Sequence, residues 1–242
     1  MVPDVDRRLL AIIHQDDSGS GVFAEEATAR GWDVDSWRIS DEDEPPADPL
    51  AYDAVASFGG AMHADQEDAY PWLRDEKALL ARLLDEGVPL MGVCLGSQLL
   101  AEAAGAVAER APTPEIGWFD VELTPEGRLD PVTGGLEPIF QALQWHSYRS
   151  PLPPGAVELA SSPVALQAYR LGESAWGIQF HAEVTEVDAV SWAVNFAVDE
   201  DAVRIGIDPD ALSAEILGRI GAWNQLGREL CGRFLDEAER LR

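Results

Sequence analysis

The chain has 242 residues, of which 46% are hydrophobic and 25% are charged, and these values suit one soluble α/β domain with a sizeable core. Its 44 acidic residues outnumber 17 basic ones and give a net charge of −27, which disfavours nucleic acid and anionic membranes as partners because phosphate binding needs clustered lysine and arginine. No apolar run reaches the roughly 18 residues of a membrane helix, and the N-terminus at Met1 lacks the basic start of a signal peptide, so we expect a cytoplasmic protein.

The first part of the chain alternates predicted strands with a predicted helix. The loop after the first strand contains His14, for which we favour a solvent-exposed position over a contact with substrate. Residues 41–48 are rich in carboxylates and proline and indicate a solvated loop. The predicted elements are strands at 8–13, 34–39 and 52–58 and a helix at 22–30.

Gly59 and Gly60 follow the third predicted strand directly. Two glycines at the end of a strand allow backbone N–H groups to turn toward a ligand, because a Cβ atom would obstruct that approach. The alternative is a plain glycine turn with no ligand. The position therefore marks a candidate binding loop.

The next elements surround Cys94. A predicted helix over 71–85 carries a leucine stripe, and its charged members Glu76 and Lys77 are expected on the solvated face. A short apolar strand over 88–93 and a helix over 97–104 follow, so Cys94 occupies the corner between them.

Gly92 and Gly96 flank Cys94 at two residues on either side, which is the spacing of a nucleophile elbow. Such a turn pushes the reactive side chain out of the sheet at a helix N-terminus, where the helix dipole and free N–H groups favour an anionic sulfur. The alternative is that Cys94 is a small buried hydrophobic residue. The motif alone does not decide between these interpretations.

A second stretch, Trp176-Gly-Ile-Gln-Phe-His-Ala-Glu-Val184, reads as a strand that ends in His181 and Glu183. Residues two apart in an extended segment project to the same face, so the imidazole and the carboxylate can share a hydrogen bond. This is the base and orienting acid of a nucleophilic triad, although a polar strand end is the simpler alternative.

The alternation of elements predicts a doubly wound, mostly parallel sheet, with ligands at the carboxyl ends of its strands. From about residue 107 the pattern changes to short strands separated by turn residues, which indicates antiparallel hairpins folded over the sheet. These candidate strands lie at 119–123, 139–144, 157–160, 165–169 and 175–179.

The C-terminal part reads as helical, with a helix over 186–198 and a tail from Asp208 to Arg242 whose apolar face includes Leu217. We expect residues 1–198 to form the main domain and 199–242 to pack on it as an extension, with a partner surface as the alternative.

Metal and disulfide sites are not expected. The two cysteines are far apart and the four histidines are scattered, so we predict no metal site and no cofactor, and we assign Cys231 to packing. Lys77 is the only lysine, and this bias leaves open whether the acidity reflects a high-salt host or codon composition.

Three motifs in chain order resemble the class I glutamine amidotransferase family: Phe58-Gly59-Gly60, Gly92-Val-Cys-Leu-Gly-Ser-Gln98 and Gln179-Phe-His-Ala-Glu183. The resemblance spans about residues 8–198. Further segments look like the stand-alone "GMP synthase-like" branch of that family, namely Met62, Pro71-Trp72-Leu73, Glu115-Ile-Gly-Trp118 and Trp145-His146. The resemblance implies a flavodoxin-like α/β fold with an antiparallel insertion.

The same resemblance implies roles for individual residues. It assigns the catalytic triad to Cys94, His181 and Glu183, and the oxyanion hole to the backbone N–H groups of Gly60 and Leu95. Contacts with substrate are implied for five residues: Gly59, Gln98, His146, Ser147 and Tyr148. The alternatives are a solvated side chain for Gln98 and a structural role beside Trp145 for His146.

Two positions depart from the family pattern. Ser147 and Tyr148 replace the usual Gly-Asp pair after the histidine, so the contact made elsewhere by that aspartate is changed or lost. Ala182 replaces the usual proline between the catalytic histidine and glutamate, which leaves their spacing intact with a less rigid backbone.

The implied activity is hydrolysis of a γ-glutamyl amide through a thioester on Cys94. Neither a P-loop nor a synthetase domain is recognisable in the sequence, so either a synthetase partner accepts the ammonia or the leaving group is larger. Two alternatives stay open: a γ-glutamyl peptidase acting on glutathione-like compounds, and a non-catalytic regulatory protein that binds a γ-glutamyl metabolite.

Overall fold

A computed structural model describes residues 7–41 and 44–241 of the chain. The predictions that concern the N-terminal start at Met1, part of the acidic 41–48 loop and Arg242 fall outside these residues. The described elements follow the predicted order, and most boundaries differ by two residues or fewer. The strand predicted over 119–123 begins at Glu109 instead, the strand predicted over 139–144 continues to Arg149, and a short helix at Glu200–Ile205 was not predicted.

The first half of the sheet is parallel, as predicted. Its strands are β1 (Arg7–Ile13), β2 (Trp32–Arg38), β3 (Ala54–Ser57), β4 (Leu90–Val93) and β9 (Ala175–Ile178). They lie in the spatial order β2-β1-β3-β4-β9, and each neighbouring pair runs in the same direction, which places their carboxyl ends on one edge. Helix α1 (Gly21–Ala29) connects β1 to β2, α2 (Trp72–Asp85) connects β3 to β4, and α3 (Leu95–Ala103) follows β4, whereas the described residues between β2 and β3 contain 3-10 turns.

The second half is antiparallel and extends the same sheet. Strand β9 pairs with β8, and the order continues β8-β7-β5-β6, which gives one mixed sheet of nine strands. The hairpins therefore continue the sheet edge instead of folding over its face, which corrects the expected arrangement. These strands are β5 (Glu109–Leu123), β6 (Ile139–Arg149), β7 (Val157–Ser161) and β8 (Leu166–Leu171).

Both faces of the parallel half are covered. Alternate side chains of β1 enter two separate cores, with Leu9 and Ala11 facing one and Leu10 and Ile12 facing the other. Because every residue from Leu9 to Ile13 is buried, this strand reads as a continuous apolar run and not as an alternating one.

The C-terminal elements are α4 (Glu186–Val194), α5 (Glu200–Ile205) and α6 (Pro209–Arg240). The helix predicted over 186–198 is shorter than expected and is followed by a 3-10 turn at Phe196–Val198. Asp208 directly precedes α6, and its carboxylate caps the first turn of the helix, which packs on α1 and α4. Leu217 was expected on its buried face but is 55% exposed.

Two of the predicted surface residues are buried instead. His14 is 1% exposed and Glu76 is 0% exposed, and their side chains contact each other at 2.7 Å. The prediction was wrong because each of these polar residues finds its partner on a different element, so neither is left unpaired in the interior. Lys77, the neighbour of Glu76, is partly buried and forms ion pairs with Glu67 and Glu102.

Candidate active site

Cys94 lies at the corner between β4 and α3, as the motif predicts. Its backbone φ of 51° makes it the only residue other than glycine with a positive φ within the described parts of the chain. Such a conformation costs about 1–3 kcal/mol for a residue with a side chain and persists only where the surrounding structure enforces it. The strained corner therefore holds the sulfur in a fixed position at the N-terminus of α3.

The two glycines of the elbow are required by close backbone packing. A Cβ atom at Gly92 would lie 2.7 Å from the carbonyl oxygen of Gly96, and one at Gly96 would lie 2.1 Å from the carbonyl oxygen of Ser57. Neither neighbour is a flexible side chain that could move aside. The corner can form only because both positions lack side chains.

Replacing Gly96 with alanine is expected to lower the free energy of unfolding by about 3 kcal/mol or more, because the new methyl group overlaps the backbone of β3. Gly218→Ala is the matched control, since Gly218 lies inside α6 with open space around it and should gain about 0.5–1 kcal/mol. Urea unfolding of both variants measures the difference. Equal stability of the two variants would contradict the packing of the elbow.

His181 and Glu183 lie in the connection between β9 and α4, not in the strand, which ends at Ile178. Their side chains nevertheless meet, with the imidazole Nδ1 2.8 Å from the Glu183 carboxylate. Burial lowers the pKa of the His181 imidazole, but the negative charge of Glu183 and the interaction with Cys94 outweigh it, and the pKa stands well above its usual value. The charged imidazolium is therefore favoured between these two partners.

Helix α6 holds this connection in place by hydrogen bonds from its side chains to the backbone carbonyls of the connection. The Trp223 indole N–H donates to the carbonyl of His181 at 2.7 Å, and the Asn224 amide donates to the carbonyl of Val184 at 2.7 Å. Between them, a Cβ atom on Gly227 would lie 2.0 Å from the carbonyl of Ala182. The helix thus supplies contacts around the residue that replaces the family's proline.

A cavity of about 370 Å³ opens beside Cys94, and the His181 ring forms part of its wall. Most of the residues predicted to bind substrate also line it. Glu183 lies behind His181, and a Cβ atom on Gly59 would lie 3.0 Å from the His181 ring, so this glycine lies next to the imidazole. The predicted residues on the wall are Gly60, Cys94, Leu95, Gln98, His146, Ser147, Tyr148 and His181.

Gly60 and Leu95, whose backbone N–H groups are the predicted oxyanion donors, are neighbours in the structure. A Cβ atom on Gly60 would lie 3.0 Å from the Leu95 Cδ2 atom, and both residues border the cavity. Leu95 is the first residue of α3, where backbone N–H groups have no partner within the helix. This arrangement can present two backbone donors beside the sulfur.

Gln98 and His146, both predicted to contact substrate, use their polar atoms mainly within the protein. The Gln98 amide donates to Tyr148 and Gln179, both at 3.1 Å, and it is buried instead of solvated. The His146 ring contacts the Tyr148 carbonyl at 3.0 Å and the Glu115 carboxylate at 3.0 Å. These contacts favour the structural interpretation of His146.

Ser147 and Tyr148, which replace the family's Gly-Asp pair, line the cavity. The hydroxyl of Ser147 hydrogen-bonds to Asp201 and contributes to lowering the pKa of that carboxyl against the effect of its burial. The ring of Tyr148 stacks on His63 with 4.0 Å between centroids. The altered loop is thus tied to the C-terminal part of the chain.

Sequence reasoning missed the wall that α4 and α5 contribute. Trp192 stands edge-on to the His181 ring with 4.8 Å between centroids and donates to the Asp17 carbonyl at 2.8 Å. The Trp145 indole donates to Asp199 at 2.8 Å, and one guanidinium nitrogen of Arg110, Nη2, donates to both carboxylate oxygens of Asp201. The available signal in the sequence was the presence of Trp145 and Trp192 near the motifs, but helical periodicity does not show which loop each of them contacts.

Residues 7–41 and 44–241 contain neither a metal-binding cluster of side chains nor a membrane-spanning helix. No group of three or more histidine, cysteine, aspartate or glutamate side chains there could hold a metal ion. In the same part of the chain, every helix is too short or too polar to cross a membrane.

Comparison with known proteins adds independent findings. A family model described as "Glutamine amidotransferase class-I" matches residues 12–197. The glutamine amidotransferase-like protein YfeJ of Salmonella typhimurium is 28% identical over 95% of this chain and 96% of its own length. One component of the glutamine-hydrolyzing GMP synthase of Ignicoccus hospitalis is 30% identical over 60% of this chain and 73% of its own.

Among solved structures, a glutamine amidotransferase of Thermotoga maritima is similar over 94% of this chain and 97% of its own. The two share 28% sequence identity, with a TM-score of 0.84. The sequence and structure comparisons therefore agree over nearly the whole chain.

Proposed function

Since this chain belongs to the class I glutamine amidotransferase family, we propose that it hydrolyses the γ-amide of glutamine or a related γ-glutamyl compound with Cys94 as nucleophile. The family supports hydrolysis of the glutamine amide in general. The observation that carries the specific proposal is the cavity in which the strained Cys94 corner and the His181 ring, held by Glu183, share one wall.

In the first half of the proposed reaction, the Cys94 sulfur attacks the γ-carbonyl carbon after its proton has passed to His181. The carbonyl oxygen becomes an oxyanion that the N–H groups of Gly60 and Leu95 stabilise, and each such donor is worth about 3 kcal/mol. His181 then donates its proton to the leaving nitrogen, and the C–N bond breaks. Ammonia or an amine departs, and a thioester on Cys94 remains.

In the second half, His181 takes a proton from water, and the resulting hydroxide attacks the thioester carbon. The C–S bond breaks, glutamate leaves, and His181 returns a proton to the Cys94 sulfur. Glu183 keeps the Nδ1 proton of His181 in place and stabilises the imidazolium in both halves. The raised pKa of His181 agrees with this role.

The leaving group determines which activity the site serves. The match to a component of the GMP synthase of Ignicoccus hospitalis supports a synthetase partner that receives ammonia. The cavity supports the second candidate, a γ-glutamyl peptidase, because about 370 Å³ falls within the ~300–1,000 Å³ of pockets that accept drug-sized ligands. Tyr148 and Ser147, which replace the family's Gly-Asp pair, line this cavity.

The test is a substrate panel of glutamine, glutathione and γ-glutamyl amines, with release of glutamate as the readout. Protein carrying Cys94→Ala serves as the blank. Release from glutamine that disappears in the blank supports the glutaminase, and release only from the larger compounds supports the peptidase. If wild-type protein releases no glutamate from any of them but binds one, the non-catalytic alternative replaces both.

A further inference from the structure

The end of β1 and α2 hold a buried histidine and glutamate that the reaction above does not use. The His14 Nε2 atom lies 2.7 Å from the Glu76 carboxylate, and its Nδ1 atom lies 3.1 Å from the carbonyl oxygen of Gly59. Both side chains are almost fully excluded from solvent. The pair therefore connects α2 to the glycine loop beside Cys94.

Further contacts fix the orientation of this pair. The second oxygen of Glu76 accepts a hydrogen bond from the Ser57 hydroxyl at 2.6 Å. The His14 ring stacks on Trp72 with 5.2 Å between centroids and 13° between planes. Stacking on Trp72 therefore fixes the face of the imidazole, and the contacts of its two ring nitrogens fix its rotation.

The partners determine the protonation of His14. An ionised carboxylate and a carbonyl oxygen only accept hydrogen bonds, so each ring nitrogen that faces one of them must carry a proton. Burial lowers the pKa of His14, but the charge and hydrogen bond of Glu76, together with the backbone contacts, raise it above the usual value. The Nδ1–H group is thus available as a donor to Gly59.

The Gly59 carbonyl and the Gly60 N–H belong to one planar trans peptide and point in opposite directions. When His14 holds the carbonyl, the Gly60 N–H points away from the His14 Nδ1 atom, and Gly60 itself borders the cavity. The next peptide is also held, because the Ala61 N–H donates to the Gln15 side chain at 2.7 Å. Two consecutive residues after β1 thus fix both peptides that flank Gly60.

We infer that His14 is a positioning residue for the oxyanion hole. Its Nδ1–H group holds the Gly59 carbonyl, and the Gly60 N–H is thereby kept aimed at the oxyanion of the γ-glutamyl substrate. Glu76 and Ser57 hold His14 in the orientation that makes this contact. The inference rests on the proposed function for its catalytic meaning, while the peptide orientation can be tested without any activity.

The experiment compares His14→Asn with His14→Leu, both made in a Glu76→Gln background. The asparagine amide can place an N–H donor near the position of Nδ1, whereas leucine has a similar size and no donor. The Glu76→Gln change removes the buried carboxylate that either substitution would leave unpaired. The two variants therefore differ chiefly in the contact with Gly59.

We expect the leucine variant to have a kcat about 10²–10³-fold below that of the asparagine variant, with similar KM, because one oxyanion donor is lost in the transition state. Alkylation of Cys94 by iodoacetamide forms no oxyanion, so its rate should be equal in both. Equal kcat values would overturn the inference, as would an alkylation rate that falls in parallel with kcat.

Crystal structures of the two variants separate this inference from the proposed function. If wild-type protein releases no glutamate from any γ-glutamyl compound, the proposed function fails, and the peptide orientation alone decides the inference. A Gly59 carbonyl that faces residue 14 in the asparagine variant and turns away in the leucine variant supports it. The same orientation in both variants overturns it.

Discussion

Replacing Cys94 with serine is expected to lower kcat for glutamate release by about 10⁶-fold, the loss that follows removal of the nucleophile from a triad hydrolase. The hydroxyl fits the same strained corner, but it is far less readily ionised than a thiol at a helix N-terminus. The raised pKa of His181 favours an imidazolium beside the side chain of residue 94. Single-turnover assays with glutamine measure the loss.

Cys231→Ser is the matched control for this prediction. Cys231 is also buried, and its sulfur contacts the Phe23 carbonyl at 3.5 Å, away from the cavity. Burial raises the pKa of its thiol, which agrees with its predicted role in packing. A serine at 231 can keep the contact with Phe23, so kcat should be unchanged. Equal kcat in the two serine variants would exclude Cys94 as the nucleophile.

The elbow could be predicted from the sequence because its requirements are local. A tight turn from strand to helix needs small residues within two positions of Cys94. Gly92 and Gly96 lie two residues before and two residues after it. The parallel half of the sheet could be predicted for a similar reason, since alternation of strand and helix is visible along the chain. Both inferences depend on neighbours in sequence.

Residues whose role depends on a partner from another element could not be placed in this way. Glu76 is charged and lies on a helix, so the solvated face is the reasonable expectation, and only the fold brings His14 to it. His146 lies directly opposite Glu115 in the register of β5 and β6. That register is fixed by the whole hairpin and cannot be read from either residue alone.

The role of α6 shows the same limit. Its apolar stripe predicts a packed helix, and most of the stripe is buried. The stripe does not show that Trp223 reaches the carbonyl of His181 or that Gly227 lies against Ala182. The contact between helix α6 and the segment 181–184 is a property of the tertiary structure.

Replacing Glu183 with glutamine is expected to lower kcat by up to about 10⁴-fold while the protein stays folded. Glutamine has nearly the same shape and can occupy the position 2.8 Å from the His181 Nδ1 atom. It supplies no negative charge, so the imidazolium that forms in both halves of the reaction loses its main stabilising partner. The Glu183 carboxylate is 1% exposed, so solvent cannot replace it.

The pH dependence of kcat/KM shows in which direction the pKa of His181 changes in this variant. The charge of Glu183 is the largest effect that raises the pKa of His181, so its removal lowers that pKa. Because the imidazolium protonates the leaving nitrogen, the alkaline limb of the profile should move to lower pH in Glu183→Gln. Glu186→Gln is the control, since Glu186 is exposed on the first turn of α4 and should leave the profile unchanged. An alkaline limb that does not move in Glu183→Gln would contradict the assignment of Glu183 as the partner of His181.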